Sequence, residues 1–421
     1  MQKKIQRSAL LNKLISRREN GSIKVISGLR RVGKSYLLFN LYYNYLIQTG
    51  VQEDHIIKIA FDDDTIDENL LDYKQLGSYI RSCIKDGEMY YVFLDEVQFV
   101  GHFEKTLNGL NRLENLDIYV TGSNSKFLSS DILTEFRGRG DEIRVQPLSF
   151  KEYLSVYGSD RQKAFVDYYV YGGLPHIVFC KTDEEKSAYL KNLYNGTYIR
   201  DVCERNNVRG EESLNILISI LASSIGSLTN PTKLANTFVS VQKRTITDKT
   251  IRSYIDYIKN SFLINEVQRF DIKGKRYIGA NSKFYFGDTG LRNAALNFRQ
   301  VEPTHLIENV IYNELLLRGF NVDVGLVDFY EKRETEEKST KKSVEIDFVC
   351  NKASSRYYIQ SAFSLESREK TLQEIRPFLH TKDAFKKIIV TGEDIKPWYT
   401  EEGILVIGIY DFLLDESNLN L

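Results

Sequence analysis

Cysteine, histidine and net charge are all scarce in this 421-residue chain. Its 4 cysteines, Cys83, Cys180, Cys203 and Cys350, lie far apart, which excludes the dense disulfide framework of a small secreted domain. With only 5 scattered histidines beside them, they offer no zinc spacing. They read as reduced thiols of a cytoplasmic protein. No apolar run approaches the length of a membrane span, and MQKKIQRSALLNKLI at the N-terminus lacks a secretory apolar core. That segment reads as an amphipathic helix ahead of the first strand. The 57 basic and 57 acidic residues cancel, so whole-chain electrostatics do not favour nucleic acid and any basic surface is local. Only 6 prolines and a 12% aromatic content fit a globular chain without long disorder. The length points to two to four domains.

What is present centres on Ile23 to Leu38, IKVISGLRRVGKSYLL. A short apolar strand runs into Gly28-x-x-x-x-Gly33-Lys34-Ser35, and a helix opens at Lys34. This is the phosphate-cradling P-loop pattern in a strand–loop–helix setting. Glycines let the backbone curl around an anion, and a helix N-terminus supplies N–H donors and partial positive charge. Lys34 is placed to reach the β- and γ-phosphates of a nucleoside triphosphate, and the Ser35 hydroxyl to bind Mg²⁺. Gly28, Arg31, Val32, Gly33 and Tyr36 complete the expected nucleotide contacts. The competing reading is a glycine-containing turn that binds nothing.

Further strands are expected at His55 to Phe61, Tyr90 to Asp95, Leu116 to Thr121 and Ile143 to Leu148. Asp62, Asp63 and Asp64 read as a solvated loop capping the next helix, Leu70 to Lys85, rather than as a metal site. Tyr90-Tyr-Val-Phe-Leu-Asp95-Glu96 is a continuous apolar run ending in two acids, as in a parallel strand buried on both faces. At the carboxyl end of such a strand Asp95 is suited to hold Mg²⁺ and Glu96 to deprotonate the attacking water. The next strand ends in Gly122-Ser123-Asn124-Ser125. There Asn124, with Ser123 next, is the polar contact expected for the γ-phosphate; a plain turn is the alternative. Arg137 and Arg139 either stabilise charge on a neighbouring subunit's nucleotide or pair with Asp141 and Glu142.

Taken together, SGLRRVGKS, FLDEVQ, TGSNS, FRGRGDEIRVQPLSFKEYL and YGGLPHIV resemble prokaryotic AAA+-type ATPases of the origin-recognition-like and STAND neighbourhood. More narrowly, the chain resembles members whose ATPase core is followed by a winged helix and a restriction-endonuclease-like domain. The resemblance implies an α/β fold with an AAA+-type P-loop NTPase parallel sheet at 1–149, a helical lid at 150–210, a winged-helix domain at 211–300 and a PD-(D/E)XK-like α/β domain at 301–421. It implies Asn124 as sensor, Arg139 as arginine finger and Tyr171 to Pro175 near the nucleotide.

In the third segment, helices at Ser213 to Ile225, from Pro231, and from Thr247 precede strands Leu263 to Phe270 and Arg276 to Ala280. Ile251, Tyr254, Ile255 and Ile258 share one face. Lys249, Arg252 and Lys259 on the third helix, with Lys273, Lys275 and Arg276 on the wing, form a candidate double-stranded DNA surface. From Lys243 to Arg276 there are nine basic residues against four acidic. The alternative is a solvated face on a module used for packing.

In the last segment a helix, His305 to Arg318, precedes strands Val322 to Leu326, Val327 to Lys332, Val344 to Val349 and Tyr357 to Phe363. Glu331 to Lys342 reads as an exposed hairpin tip. A helix, Arg368 to Phe378, and strands Lys387 to Thr391 and Ile404 to Tyr410 follow. Glu308, Asp347 and Gln360 match a nuclease metal site, but Ala362 stands where its lysine belongs. A degenerate site is therefore expected, with Lys370 as a lysine able to migrate in. The whole reads as an Mg²⁺-dependent ATPase, with an ATP-gated DNA-binding switch or an ATP-dependent nuclease as alternatives. Homo-oligomerisation and absence from the membrane are further expectations.

Overall fold

The computed structural model describes residues 4–122, 136, 138–208, 210–242, 246–331 and 340–420. Two compact units are present. The first comprises Met1–Leu148 with Leu174–His176 and Asn260–Phe262; the second comprises Ser149–Gly173, Ile177–Lys259 and Leu263–Leu421. Among the described residues no helix is long and apolar enough to cross a membrane.

The first unit is built on five strands: β1 (Ile23–Gly28), β2 (Ile56–Ala60), β3 (Tyr90–Asp95), β4 (Leu116–Thr121) and β5 (Gly140–Val145), in the order β2-β3-β4-β1-β5. Every pairing is parallel. All six residues of β1, β3 and β4 are buried, as expected for central strands covered on both faces. On one face Val25, Val92, Leu94, Ile118 and Val120 pack with Leu76, Ile80, Leu107 and Leu110 from helices Tyr73–Cys83 and Phe103–Leu110. The other face carries polar groups that satisfy one another. Lys24 pairs with Asp117, and the Tyr119 hydroxyl donates to Asp117 Oδ2 (2.7 Å) and shares a hydrogen bond with Tyr42 (2.6 Å).

Some local expectations need correction. The helix that opens at Lys34 runs on to Gln48, with a π-helical stretch at Leu37–Tyr42. Asp62 to Asp64 do not cap the next helix. Asp63 accepts from the Thr65 amide and hydroxyl, while Asp72 accepts from the Lys74 and Gln75 amides and begins Tyr73–Cys83. Strand β5 starts at Gly140 rather than Ile143, because its register with β1 runs from Ile23–Gly140 to Gly28–Val145.

The second unit opens with helices Phe150–Tyr157 and Asp183–Leu193, each begun by a capping box, Ser149/Glu152 and Thr182/Glu185. Between them lies Arg161–Tyr171. Helices Glu211–Ser223, Pro231–Gln242 and Asp248–Asn260 follow, with Ile251, Ile255 and Ile258 buried. Eight strands form its sheet: β6 (Ile264–Asp271), β7 (Arg276–Phe286), β8 (Asn321–Glu331), β9 (Thr340–Lys352), β10 (Ser355–Ala362), β11 (Lys386–Thr391), β12 (Trp398–Tyr399) and β13 (Leu405–Gly408). Their order is β12-β13-β11-β10-β9-β8-β6-β7.

This topology changes the expected division. The β6–β7 hairpin, read as a wing, is not free: Arg269–Asp271 of β6 pairs in parallel with Val324–Leu326 of β8. A strand edge buried beside another needs hydrogen-bond partners, and β8 supplies them. The expected boundaries at 210/211 and 300/301 therefore fall inside one compact unit and the latter cuts across one sheet. The two strands expected around Leu326 and Val327 are one, β8, paired along its length with β9. The last strand ends at Gly408, where helix Ile409–Leu414 starts. Of the expected hairpin tip, residues 332–339 lie outside the described residues.

Candidate nucleotide-binding site

Because β1, β3 and β4 are parallel, their carboxyl ends come to one edge of the sheet, where ligands of open α/β sheets bind. That edge carries Gly28 and the loop to Gly33, Asp95–Glu96, and Thr121. Two glycines are fixed by geometry. A Cβ on Gly28 would lie 2.1 Å from the Val145 carbonyl oxygen, and Gly33 has φ of 92°, the left-handed region, as it opens the helix. Arg31 also lies in the left-handed region, with φ of 63°. Arg31, Ser35 and Tyr36 are exposed, whereas Val32 is fully buried.

Lys34 is buried, and its ammonium donates to the carbonyls of Gly28 (3.2 Å) and Leu29 (3.0 Å) within its own loop. Asp95 is 5% exposed and accepts a hydrogen bond from Thr121 Oγ1, and the Ser35 hydroxyl lies near enough to favour its charged form. Burial holds its carboxyl above the ordinary value. The two hydroxyls oppose that, and the charges of Glu96 and Asp62 add to it. Glu96 sits in the left-handed region, φ 50°; its N–H donates to Thr121 Oγ1 (3.2 Å) and Gln98 Nε2 donates to its carboxylate. The Ser35 hydroxyl and the buried Asp95 carboxylate, with Glu96 and Asp62 near, form an oxygen donor set that fits Mg²⁺.

Two contributors carry no motif signal, and a third, Pro175, lies in the segment expected near the nucleotide. Arg7, ahead of helix Ser8–Ser16, is buried and donates to the carbonyls of Val32 (3.1 Å) and Gln146 (2.7 Å), fastening the P-loop to the segment after β5. Thr121 was seen only as the end of a strand; register with β3 puts it beside Asp95. Pro175 lies against the loop, its Cγ 3.9 Å from where a Gly33 Cβ would be.

Asn124, Ser123 and Arg137 lie outside the described residues. Arg139 is exposed and is not brought to this site within the chain. Its carbonyl accepts from the Ile23 amide (2.8 Å) at the amino end of β1, and six residues of extended strand place the P-loop about 20 Å away. Asp141 and Glu142 pair elsewhere, with Arg17 (2.9 Å) and the Ser27 hydroxyl (2.5 Å).

In the second unit Lys249 and Arg252 are exposed on helix Asp248–Asn260. Arg252 lines a polar cavity of about 580 Å³ with Asn230, Lys233, Asn236, Asp256 and Glu266. Lys259 pairs with Glu266 (2.7 Å). At the β6–β7 turn Lys273, Lys275 and Arg276 are exposed; Lys273 donates to the Asp328 carbonyl and Arg276 lies 3.9 Å from Asp271. Glu308, Asp347 and Gln360 do converge, since the Asp347 amide donates to Gln360 Oε1 (3.3 Å) and Lys283 bridges Glu308 and Asp347. Lys370 is not there; it lies near Glu366 (3.8 Å). The lysine that enters the cluster is Lys283, from β7, which sequence reading did not single out.

An AAA domain family matches residues 20–154, and a domain of unknown function (DUF8612) matches 162–302. An uncharacterized protein of Haemophilus influenzae is 36% identical over 419 residues, covering 97% of this chain and 98% of its own length. An uncharacterized protein of Methanocaldococcus jannaschii is 29% identical over 402 residues, covering 92% of this chain and 85% of its own length. Among solved structures, a Walker-type ATPase of Pyrococcus abyssi is similar in fold, with a TM-score of 0.50 at 16% identity over 70% of this chain and 96% of that one.

Proposed function

We propose that this chain, which belongs to one family with the Haemophilus influenzae protein and carries an AAA domain over residues 20–154, binds and hydrolyses ATP with Mg²⁺. The reading rests most on one juxtaposition: Lys34–Ser35 and Asp95–Glu96, sixty residues apart, meet at one sheet edge, with the Ser35 hydroxyl near enough to Asp95 to favour its charged form. Lys34 leaves its loop carbonyls for the β- and γ-phosphates, exchanging neutral acceptors for charged ones. Ser35 and Asp95 would hold Mg²⁺, whose charge would be available to offset that developing on the phosphoryl oxygens. Glu96 orients the attacking water and takes its proton. Asn124 senses the γ-phosphate. Arg139, at the opposite edge, acts only on a neighbouring subunit's nucleotide, so turnover depends on homo-oligomerisation.

In the same reading the helical segment at 150–210 serves as a lid, the helices of 211–300 as a DNA-binding module, and the eight-stranded sheet, which takes in the β6–β7 hairpin, as the core of a degenerate restriction-endonuclease-like domain. Lys249, Arg252, Lys273, Lys275 and Arg276 contact double-stranded DNA phosphates, and the protein works in the cytoplasm. The test is ATP turnover by the full chain and by Lys34→Ala and Glu96→Gln, over a range of protein concentrations, with and without DNA. Turnover at least a hundredfold above Lys34→Ala supports hydrolysis, and a rise per chain with concentration supports Arg139 acting between subunits. Tight ATP binding with no excess over Lys34→Ala replaces it with an ATP-gated switch. DNA affinity that does not fall with salt removes the phosphate contacts.

A further inference from the structure

A buried ammonium occupies the centre of the acidic cluster in the second unit. Lys283 Nζ lies 2.8 Å from Glu345 Oε1, 3.1 Å from Glu308 Oε1 and 3.3 Å from Asp347 Oδ1, and its side chain is 5% exposed. Two residues along the same strand, the Tyr285 hydroxyl donates to Glu308 Oε1 (2.6 Å). Asp347 Oδ2 accepts from the Ser361 amide (3.0 Å). Burial alone would discharge the ammonium; the charges of Asp347, Glu308 and Glu345 reverse that and hold it above its ordinary value. Burial pushes Glu308 up to about 7, against Lys283, and pushes Glu374 up to about 7, with the charge of Asp347 adding.

A divalent ion held by these acids needs oxygens about 2.0–2.6 Å from its centre. The point where the three carboxylates converge is already taken by nitrogen, and two cations at that separation repel too strongly to share it. Nor does Lys283 resemble a lysine poised over a substrate, because three carboxylates surround it and little of it reaches solvent.

We propose that Lys283 is the built-in counter-ion of this cluster, standing where a nuclease of this fold would hold its metal, so that the domain takes no divalent cation and cleaves no phosphodiester. The inference rests on the restriction-endonuclease-like reading and goes beyond it: the site is not merely short of a lysine at Ala362 but closed by one from β7. It also gives the β6–β7 hairpin a charge-bearing role in the C-terminal sheet.

The test is Mn²⁺ binding followed by electron paramagnetic resonance on the full, nucleotide-free chain, with Asp95→Asn throughout to silence the P-loop. The expected result is no bound Mn²⁺ in Asp95→Asn and one equivalent when Lys283→Met is added, lost again on adding Asp347→Asn. An equivalent already present in Asp95→Asn and removed by Asp347→Asn overturns the proposal while leaving the nuclease-like reading standing. A folded Lys283→Met chain that gains no Mn²⁺ overturns it too, and takes the nuclease-like reading with it. Where Lys283→Met does not fold, Asp95→Asn against Asp95→Asn/Asp347→Asn still decides. Asp347-dependent plasmid nicking that Lys283→Met abolishes makes Lys283 a catalytic lysine and overturns the proposal.

Discussion

Lys34 and Lys283 are both buried beside acidic strands, and the hydrogen bonds and ion pairs described for each are of different kinds. The ammonium of Lys34 donates to backbone carbonyls of its own loop, with Asp95 and Glu96 across the same sheet edge held by hydroxyl and amide groups. Lys283 touches three carboxylates from two other elements, a helix and β9. Neutral acceptors release an ammonium at little cost when a phosphate arrives. Carboxylates in a desolvated pocket do not, because removing the cation leaves buried charge uncompensated. A lysine among acids therefore reads as a site waiting for a ligand in the first unit and as a finished structure in the second.

The sharpest way to break this contrast is to neutralise each lysine. Lys283→Met should lower the stability of the full chain by about 3–5 kcal/mol, the range for stranding buried charge, measured by urea unfolding. Adding Asp347→Asn should restore part of it. Lys34→Ala should leave the urea midpoint nearly unchanged and cut ATP turnover by about 10²–10³, the cost of losing one charge-stabilising donor. Equal stability losses for both would erase the distinction.

Arg7→Ala should raise the ATP dissociation constant about tenfold, by freeing the Val32 and Gln146 carbonyls that hold the loop, equivalent to about 1.4 kcal/mol and measurable by calorimetry. The smallest effect concerns pH. Glu374 is pushed up to about 7 from an ordinary 4.5, so its contribution is fully present below pH 4.5 and is lost as pH rises through 7. Glu374→Gln mimics the protonated form. Wild type and variant should be equally stable near pH 4.5, with the variant the more stable at pH 8; a difference of the opposite sign in urea midpoints would contradict the burial of that carboxyl.

How much of this was legible in the sequence depended on contiguity. The P-loop and Asp95–Glu96 are each short uninterrupted patterns attached to apolar strands, so residue order alone placed them at strand ends. Arg7 and Thr121 act through single contacts made by pairing and packing, which no local pattern encodes. Lys283 is the clearest case. It lies 25 residues before Glu308 and 64 before Asp347, on a hairpin assigned to another module. Only the parallel pairing of β6 with β8 brings that hairpin into the C-terminal sheet. Gln360 and Asp347 were found because a known spacing was sought, and the same search looked for the missing lysine on β10 and then at Lys370, which points elsewhere. Arg139 was recognised by its neighbours along the chain, but the parallel register of β5 puts it at the amino edge.

The most direct measurement counts Mn²⁺ bound per chain in the presence of a non-hydrolysable ATP analogue. The account predicts one equivalent, lost with Asp95→Asn and unaffected by Asp347→Asn. Two equivalents, or one that survives Asp95→Asn and disappears with Asp347→Asn, would contradict it.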